Sequence, residues 1–345
     1  MKKHLIAAAV AAAVAVPAMA QNVTIYGILD QAVGRFDTGA VADATSTSTS
    51  AQNLLSTQRL GFRGTEDLGG GLKANFQIEG ALSNASGAAG SALGTERDMW
   101  VGLSGNFGAV KLGRTDLGTT NIDDAVSQAG NLGAMMTAST QAPALPYIQQ
   151  TRDGLGNDAA SALVYTTPSF SGLTVELGYA GKTSGAATAA SATGVRADYK
   201  NGALLVTAGR TSASSSDKSV DATLTGAGVS YNFGVVSVGY ARMEAKPTQN
   251  DKYVYDLLSA AFPIGNGVTL HGVFQQAERK GTTESAEGYT LAVTKALSKR
   301  TTIYAAYSAL DNDGAARFGM RGTGAPAAAD NSDPSAFALG VRHTF

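Results

Sequence analysis

The chain has no cysteine, so disulfides and thiolate metal sites are both excluded. Charge is scarce: Asp, Glu, Lys and Arg make up 15% of the 345 residues, against about a quarter in soluble domains. The signs nearly balance, 26 basic against 27 acidic. Nothing therefore draws the chain to nucleic acid. Beyond residue 20 no stretch approaches the ~18 consecutive apolar residues that a spanning helix needs. Histidine is almost absent there too, with only His271 and His343. A hydrolase needs a base set against a nucleophile, and two lone histidines offer little for it. No metal-ligand spacing, phosphate-cradling glycine loop or nucleotide fingerprint occurs. No catalysis and no cofactor are expected.

Residues 1–20 read as a signal peptide. Lys2 and Lys3 supply the charged start, residues 5–16 the apolar stretch, and Ala18-Met19-Ala20 an A-x-A-like cleavage site. Its removal leaves 24 basic residues against 27 acidic, moving the net charge from −1 to −3. Residues 21–345 are then an exported, single-domain chain.

What is present is glycine, 42 residues of it, and strict alternation. The last ten residues, A-F-A-L-G-V-R-H-T-F, put Phe337, Leu339, Val341 and Phe345 on one parity, and Ala338, Gly340, Arg342 and Thr344 on the other. That is a period of two running to an aromatic carboxy terminus. A free apolar edge of this kind invites aggregation, whereas a strand closing a membrane barrel has no free edge. Leu72–Leu82 repeats the pattern: Leu72, Ala74, Phe76 and Ile78 against Lys73, Asn75, Gln77 and Glu79.

About sixteen such segments follow one another, joined by connections that alternate between short and long. The short ones carry the Gly, Asn or Pro of tight turns, and the long ones are rich in Ser, Thr, Ala, Gly and Asn. The expected fold is all-β: a transmembrane, antiparallel, up-and-down barrel of about sixteen strands. A secreted sandwich or adhesin would also alternate, but would not alternate its loop lengths. One connection, 115–161, is far longer than the rest. It carries Ile122, Val126, Leu132, Met135, Met136, Leu145 and Tyr147. That much apolar surface predicts a loop folded back into the lumen to narrow it; the alternative is a surface loop packed on its neighbours.

Several stretches, in order, resemble one family. They are V-T-I-Y-G-I-L-D at 23–30, R-L-G-F-R-G-T-E-D-L-G-G-G at 59–71, V-G-L-S-G-N-F-G-A-V-K-L-G-R at 101–114, V-Y-T-T-P-S-F-S-G-L at 164–173, and the terminal G-V-R-H-T-F. Together they resemble the general porins of Gram-negative outer membranes, of the Neisseria and Burkholderia type. The resemblance implies a sixteen-stranded barrel, a homotrimer in the outer-membrane bilayer, passive diffusion of ions and small hydrophilic solutes, and a third loop folded into the pore. The P-E-F-G-G-like stretch that many members carry in that loop is absent.

A pore needs a constriction with a field across it rather than catalytic groups. Arg59 and Arg63 share a parity opposite Leu60 and Phe62 and are expected to face the lumen. Arg97 shares a parity with Met99, Val101 and Leu103, so only the resemblance turns it inward. Arg114 ends the strand before the long loop, Arg152 lies near that loop's end, and Asp116, Asp123 and Asp124 lie on it. These arginines are the expected basic wall and these aspartates the expected acidic loop, with a mild lean towards anions. Phe337, Leu339, Val341 and Phe345 are the expected membrane-insertion signature. Two alternatives stay open: a substrate-selective channel and an outer-membrane barrel hydrolase. A sugar slide would need a run of aromatics, but Tyr26, Tyr165 and Tyr304 are scattered, and Trp100 is the only tryptophan.

Overall fold

The structure is a computed structural model. It describes residues 23–345 except 38, 40–50, 53, 83–92, 95–96, 118–121, 130–135, 139–161, 182–189, 216–220, 247–250 and 321–330. The segment expected to be a signal peptide lies outside the described residues.

One antiparallel sheet of eighteen strands dominates. Two of these, Ala51–Gln52 and Leu93–Gly94, are two-residue pieces, and the other sixteen form the barrel. In chain order these are β1 (Thr24–Asp37), β2 (Arg59–Gly69), β3 (Leu72–Leu82), β4 (Met99–Gly105), β5 (Gly108–Arg114), β6 (Ala162–Thr166), β7 (Leu173–Ala180) and β8 (Ala190–Asn201). Then come β9 (Leu204–Ser215), β10 (Asp221–Asn232), β11 (Ser237–Lys246), β12 (Tyr253–Gly265), β13 (Val268–Arg279), β14 (Ser285–Ala296), β15 (Thr301–Asp313) and β16 (Ser335–Thr344).

Each strand pairs with its neighbours in sequence, and β1 pairs with both β2 and β16. The barrel is therefore closed and no edge is left. Phe345 completes the seam: its N–H donates to Gly27 O and its O accepts from Gly27 N–H, both at 3.1 Å. The Phe345 ring lies over Gly27, where a Cβ would collide with it.

The outer wall is apolar. Val33, Leu112, Leu177, Leu291 and Val341 are each 49–60% exposed, while the residues beside them in each strand point inward. Tyr179, Tyr240, Phe274, Tyr289 and Tyr307 form an aromatic row on the long-loop side, and Phe107, Phe170 and Phe233 stand exposed at the short-turn rim. An apolar outer band edged by aromatics is what a bilayer selects on a barrel.

The connections alternate as expected. The turn between β2 and β3 is only Gly70 and Gly71, because β2 continues to Gly69. A register shift between Asp67 and Gly69 absorbs the extra residue. Gly69 adopts φ 85°, and its N–H donates to Asp67 Oδ1 at 2.8 Å, a local bond that lets the strand run into the turn.

Candidate pore-lining site

Strand alternation turns Arg59 and Arg63 inward, opposite Phe62, which is exposed on the outer wall. The same parity on β3 carries Gln77 and Glu79 into the lumen. Arg97 reaches the site by another route. It precedes β4 at a bend, so the strand's alternation does not bind it. Its side chain turns inward, is buried, and its Nε donates to Glu79 Oε1.

Glu79 is thus the hub of the wall. Its Oε1 also lies 3.5 Å from Arg59 Nη1, and its Oε2 accepts from Tyr26 OH at 2.9 Å. Arg59 Nε donates to Thr57 O at 3.0 Å, which fixes the guanidinium along the wall. Arg63 lies over the Tyr26 ring, with Cζ 5.0 Å from its centroid. Two guanidiniums share the buried Glu79 carboxylate, a third stands one register row away, and Asp98 beside Gln77 is a second carboxylate here, so three cations meet two carboxylates and this face keeps a cation surplus. Lys111 adds to it: its Nζ lies 4.9 Å from the centroid of the lumen-facing Trp100 ring.

The start of the 115–161 segment lies on the inner wall. Leu117 is buried and its O accepts from Thr211 Oγ1 on β9 at 2.7 Å. A short helix, α1 (Ile122–Val126), packs on β10 and β11. Ile122 and Val126 are wholly buried there, over Gly226, Gly228 and Gly239. Those three glycines are on the parity opposite the exposed Val229 and Tyr240, so the helix is inside the barrel. Gln128 then reaches β12 and β13. Its N–H donates to Ser259 Oγ at 3.0 Å, and its O is 2.8 Å from His271 Nδ1. The other ring nitrogen, Nε2, is 3.0 Å from Thr294 Oγ1. His271 is therefore on the lumen face, and its partners make it a tether for this segment. Further on, Met136–Ala138 pairs with Phe318–Met320 of the last long connection.

A second inward segment has no counterpart in the sequence reading. Residues 54–58 cross the inner face near the seam. Asp30 is fully buried and its Oδ2 accepts from Leu55 N–H and Ser56 N–H, both at 2.6 Å. Tyr304 OH donates to Asp30 Oδ1 at 2.6 Å, and Arg342 Nε donates to Ser56 Oγ at 2.6 Å.

The remaining sequence candidates fall as follows. Arg114 ends β5 opposite Met99, just after Gly113, whose φ of 138° interrupts the alternation. Asp116 is half-buried beside Leu117, and Asp123 is in α1. The structure thus brings Arg59 and Arg97 together on Glu79, whereas Asp123 stands on the far wall, at β10 and β11. Asp124 belongs to α1 by its backbone; its side chain and the whole of Arg152 lie outside the described residues. Phe337, Leu339, Val341 and Phe345 all face outward, 43–50% exposed.

A closed barrel with a charged, water-facing inner wall and an inserted segment is a pore, and a family model described as Gram-negative porin matches residues 7–315. The chain belongs to the Gram-negative porins. It is an outer-membrane porin, a channel for passive diffusion and not an enzyme. The chain is 32% identical over 365 aligned residues to outer membrane porin protein 32 of Delftia acidovorans, with all of both chains covered. Among solved structures, the anion-selective porin from Comamonas acidovorans superposes with a TM-score of 0.78 at 28% identity, covering 94% of this chain and all of that one. OmpT of Vibrio cholerae, solved in a trimer form, superposes with a TM-score of 0.66 at 17% identity over 94% of this chain and all of that one, a likeness of fold alone.

Glu79 was on the wet parity in the sequence, but nothing marked it as the arginines' partner. Its contacts span 18 and 20 residues of sequence, and the sequence points to the loop aspartates for the opposing charge instead.

Proposed function

We propose that this porin leans towards anions, and that the lean is set by the basic wall Arg59, Arg63, Arg97, Arg114 and Arg152, with the 115–161 loop as the constriction and Asp116, Asp123 and Asp124 as its acidic side. One observation carries the reading: Arg59 and Arg97 share the single carboxylate of Glu79, with Arg63 in the next row. The local field at that wall is positive although the whole chain is slightly acidic, and a pore responds to the local field. The likeness to an anion-selective porin supports the same sign. The inward seating of Leu117, Ile122 and Val126 supports the loop's role.

The reversal potential of the wild-type channel across a potassium chloride gradient tests the sign. The reading expects the potential of a chloride-preferring pore; a potassium-preferring pore would reject it. We further propose a homotrimer, supported by the trimer form of OmpT and by the small or apolar outward residues Gly27, Leu29 and Val33 of β1. The outward face of β16 is proposed as the insertion signature, because it offers an unbroken apolar row ending in an interfacial aromatic.

A further inference from the structure

We propose that the short-turn side of the basic wall carries a subsite for aromatic carboxylates, built on Trp100 and Lys111. This deepens, and rests on, the anion-leaning reading of the pore.

The sheet register places Thr24, Arg63, Gln77, Trp100 and Gly113 in one row across β1 to β5, all on the lumen parity. That row lies one step, two residues or ~7 Å along β3, beyond Glu79. A solute released by Arg59 and Arg97 meets it next on the way to the short-turn rim. Passage of inorganic ions needs no aromatic ring on this wall, since hydroxyls and amides wet it at less cost. Yet two rings stand here, each with a cation over its face: Lys111 over Trp100 at 4.9 Å and Arg63 over Tyr26 at 5.0 Å.

Trp100 is the better seat. It is half-buried, so part of the indole meets the lumen. Its cross-strand partner on β5 is Gly113, and the next inward residue on β4 is Gly102. Neither glycine covers the ring. The other neighbour, Gln77, has its amide engaged by Asp98, the inward residue before Trp100, donating from Nε2 to Oδ2 at 3.2 Å. An indole only partly covered by an ammonium group over its face matches a solute with a flat ring and an attached carboxylate. The ring stacks on the indole and the carboxylate takes Lys111, a combination of π contact and ion pairing that neither acetate nor chloride offers.

Trp100 is the only tryptophan in the chain, so indole emission reports this site alone. The test titrates the intact porin in detergent with benzoate and, separately, cyclohexanecarboxylate. The two share charge and size but differ in the π face. Emission is excited at the red edge, where benzoate is transparent. In parallel, both acids are added to channels conducting chloride in a planar bilayer. The expected result is saturable quenching and partial block by benzoate at a concentration about two- to fivefold lower than for cyclohexanecarboxylate. Lys111→Gln should weaken both acids, and Trp100→Leu should erase the difference in block while chloride still passes. Equal titration by the two acids, or an unchanged benzoate advantage in Trp100→Leu, would overturn the subsite. If Trp100→Leu yields no channels, the fluorescence arm with Lys111→Gln decides: no weakening there also overturns it. A wrong sign of selectivity would show in the reversal potential, not in the difference between the two acids, so the two failures stay distinct.

Discussion

Glu79 holds its place because two cations and a phenol satisfy it. Its side chain is 4% exposed and that of Arg97 is 8% exposed, so neither charge is well solvated alone. Breaking such a buried pair costs about 3–5 kcal/mol, mostly the desolvation of the charge left behind. Glu79→Gln should therefore lower the unfolding midpoint of the porin. It should also raise the chloride-to-potassium permeability ratio roughly twofold or more, because a negative charge leaves a positive wall. A ratio that moves towards potassium would show that Glu79 is not the partner that tempers these arginines. Alternation alone places Arg59 and Arg63, since Leu60 and Phe62 claim the other parity. Arg97 was not legible that way. Its parity matches Met99 and Val101, and only the bend before β4 frees it to turn inward.

Strands carry the clearest sequence signal, because one face meets lipid and the other water, and a period of two follows directly. The inserted segments carry almost none. The seat of α1 is three glycines on two strands, Gly226, Gly228 and Gly239. In each strand they look like ordinary small residues, and only the register gathers them under Ile122 and Val126. Asp30, likewise, reads as one polar residue of β1 until the chain from Leu54 to Gln58 returns across it. Gly228→Leu places a side chain where Val126 sits. Overpacking of this kind costs about 1–3 kcal/mol, and the helix should be pushed into the lumen with a fall in single-channel conductance. Ala227→Leu, on the lipid face of the same strand, is the control and should leave conductance alone; equal effects would refute the seat. At the seam, Phe345→Ala removes the ring over Gly27 and the terminal interfacial aromatic. Outer-membrane assembly should drop several-fold while export to the periplasm continues, as fractionation would show. Unchanged membrane yield would make the terminal pattern incidental.

Across the whole barrel, closure through β1 and β16 hides every strand edge, and the apolar band with its aromatic rows sets the protein in the bilayer. Three such barrels are expected in one assembly. Mass measurement in mild detergent should give three chains, and a single-chain mass would remove the trimer while leaving the pore intact. The charge balance of the molecule, −1 over the full chain, gives no hint of selectivity, which rests on a few groups on one wall. Screening makes that local field strongest in dilute salt, as the Debye length grows from ~10 Å at 0.1 M to ~30 Å at 0.01 M. The most direct test is the reversal potential at low salt for the wild type and for the Arg59→Ala, Arg97→Ala double variant. The wild type should prefer chloride and the double variant should lose most of that preference, whereas a potassium-preferring wild type, or a double variant with unchanged preference, would contradict the assignment of these arginines.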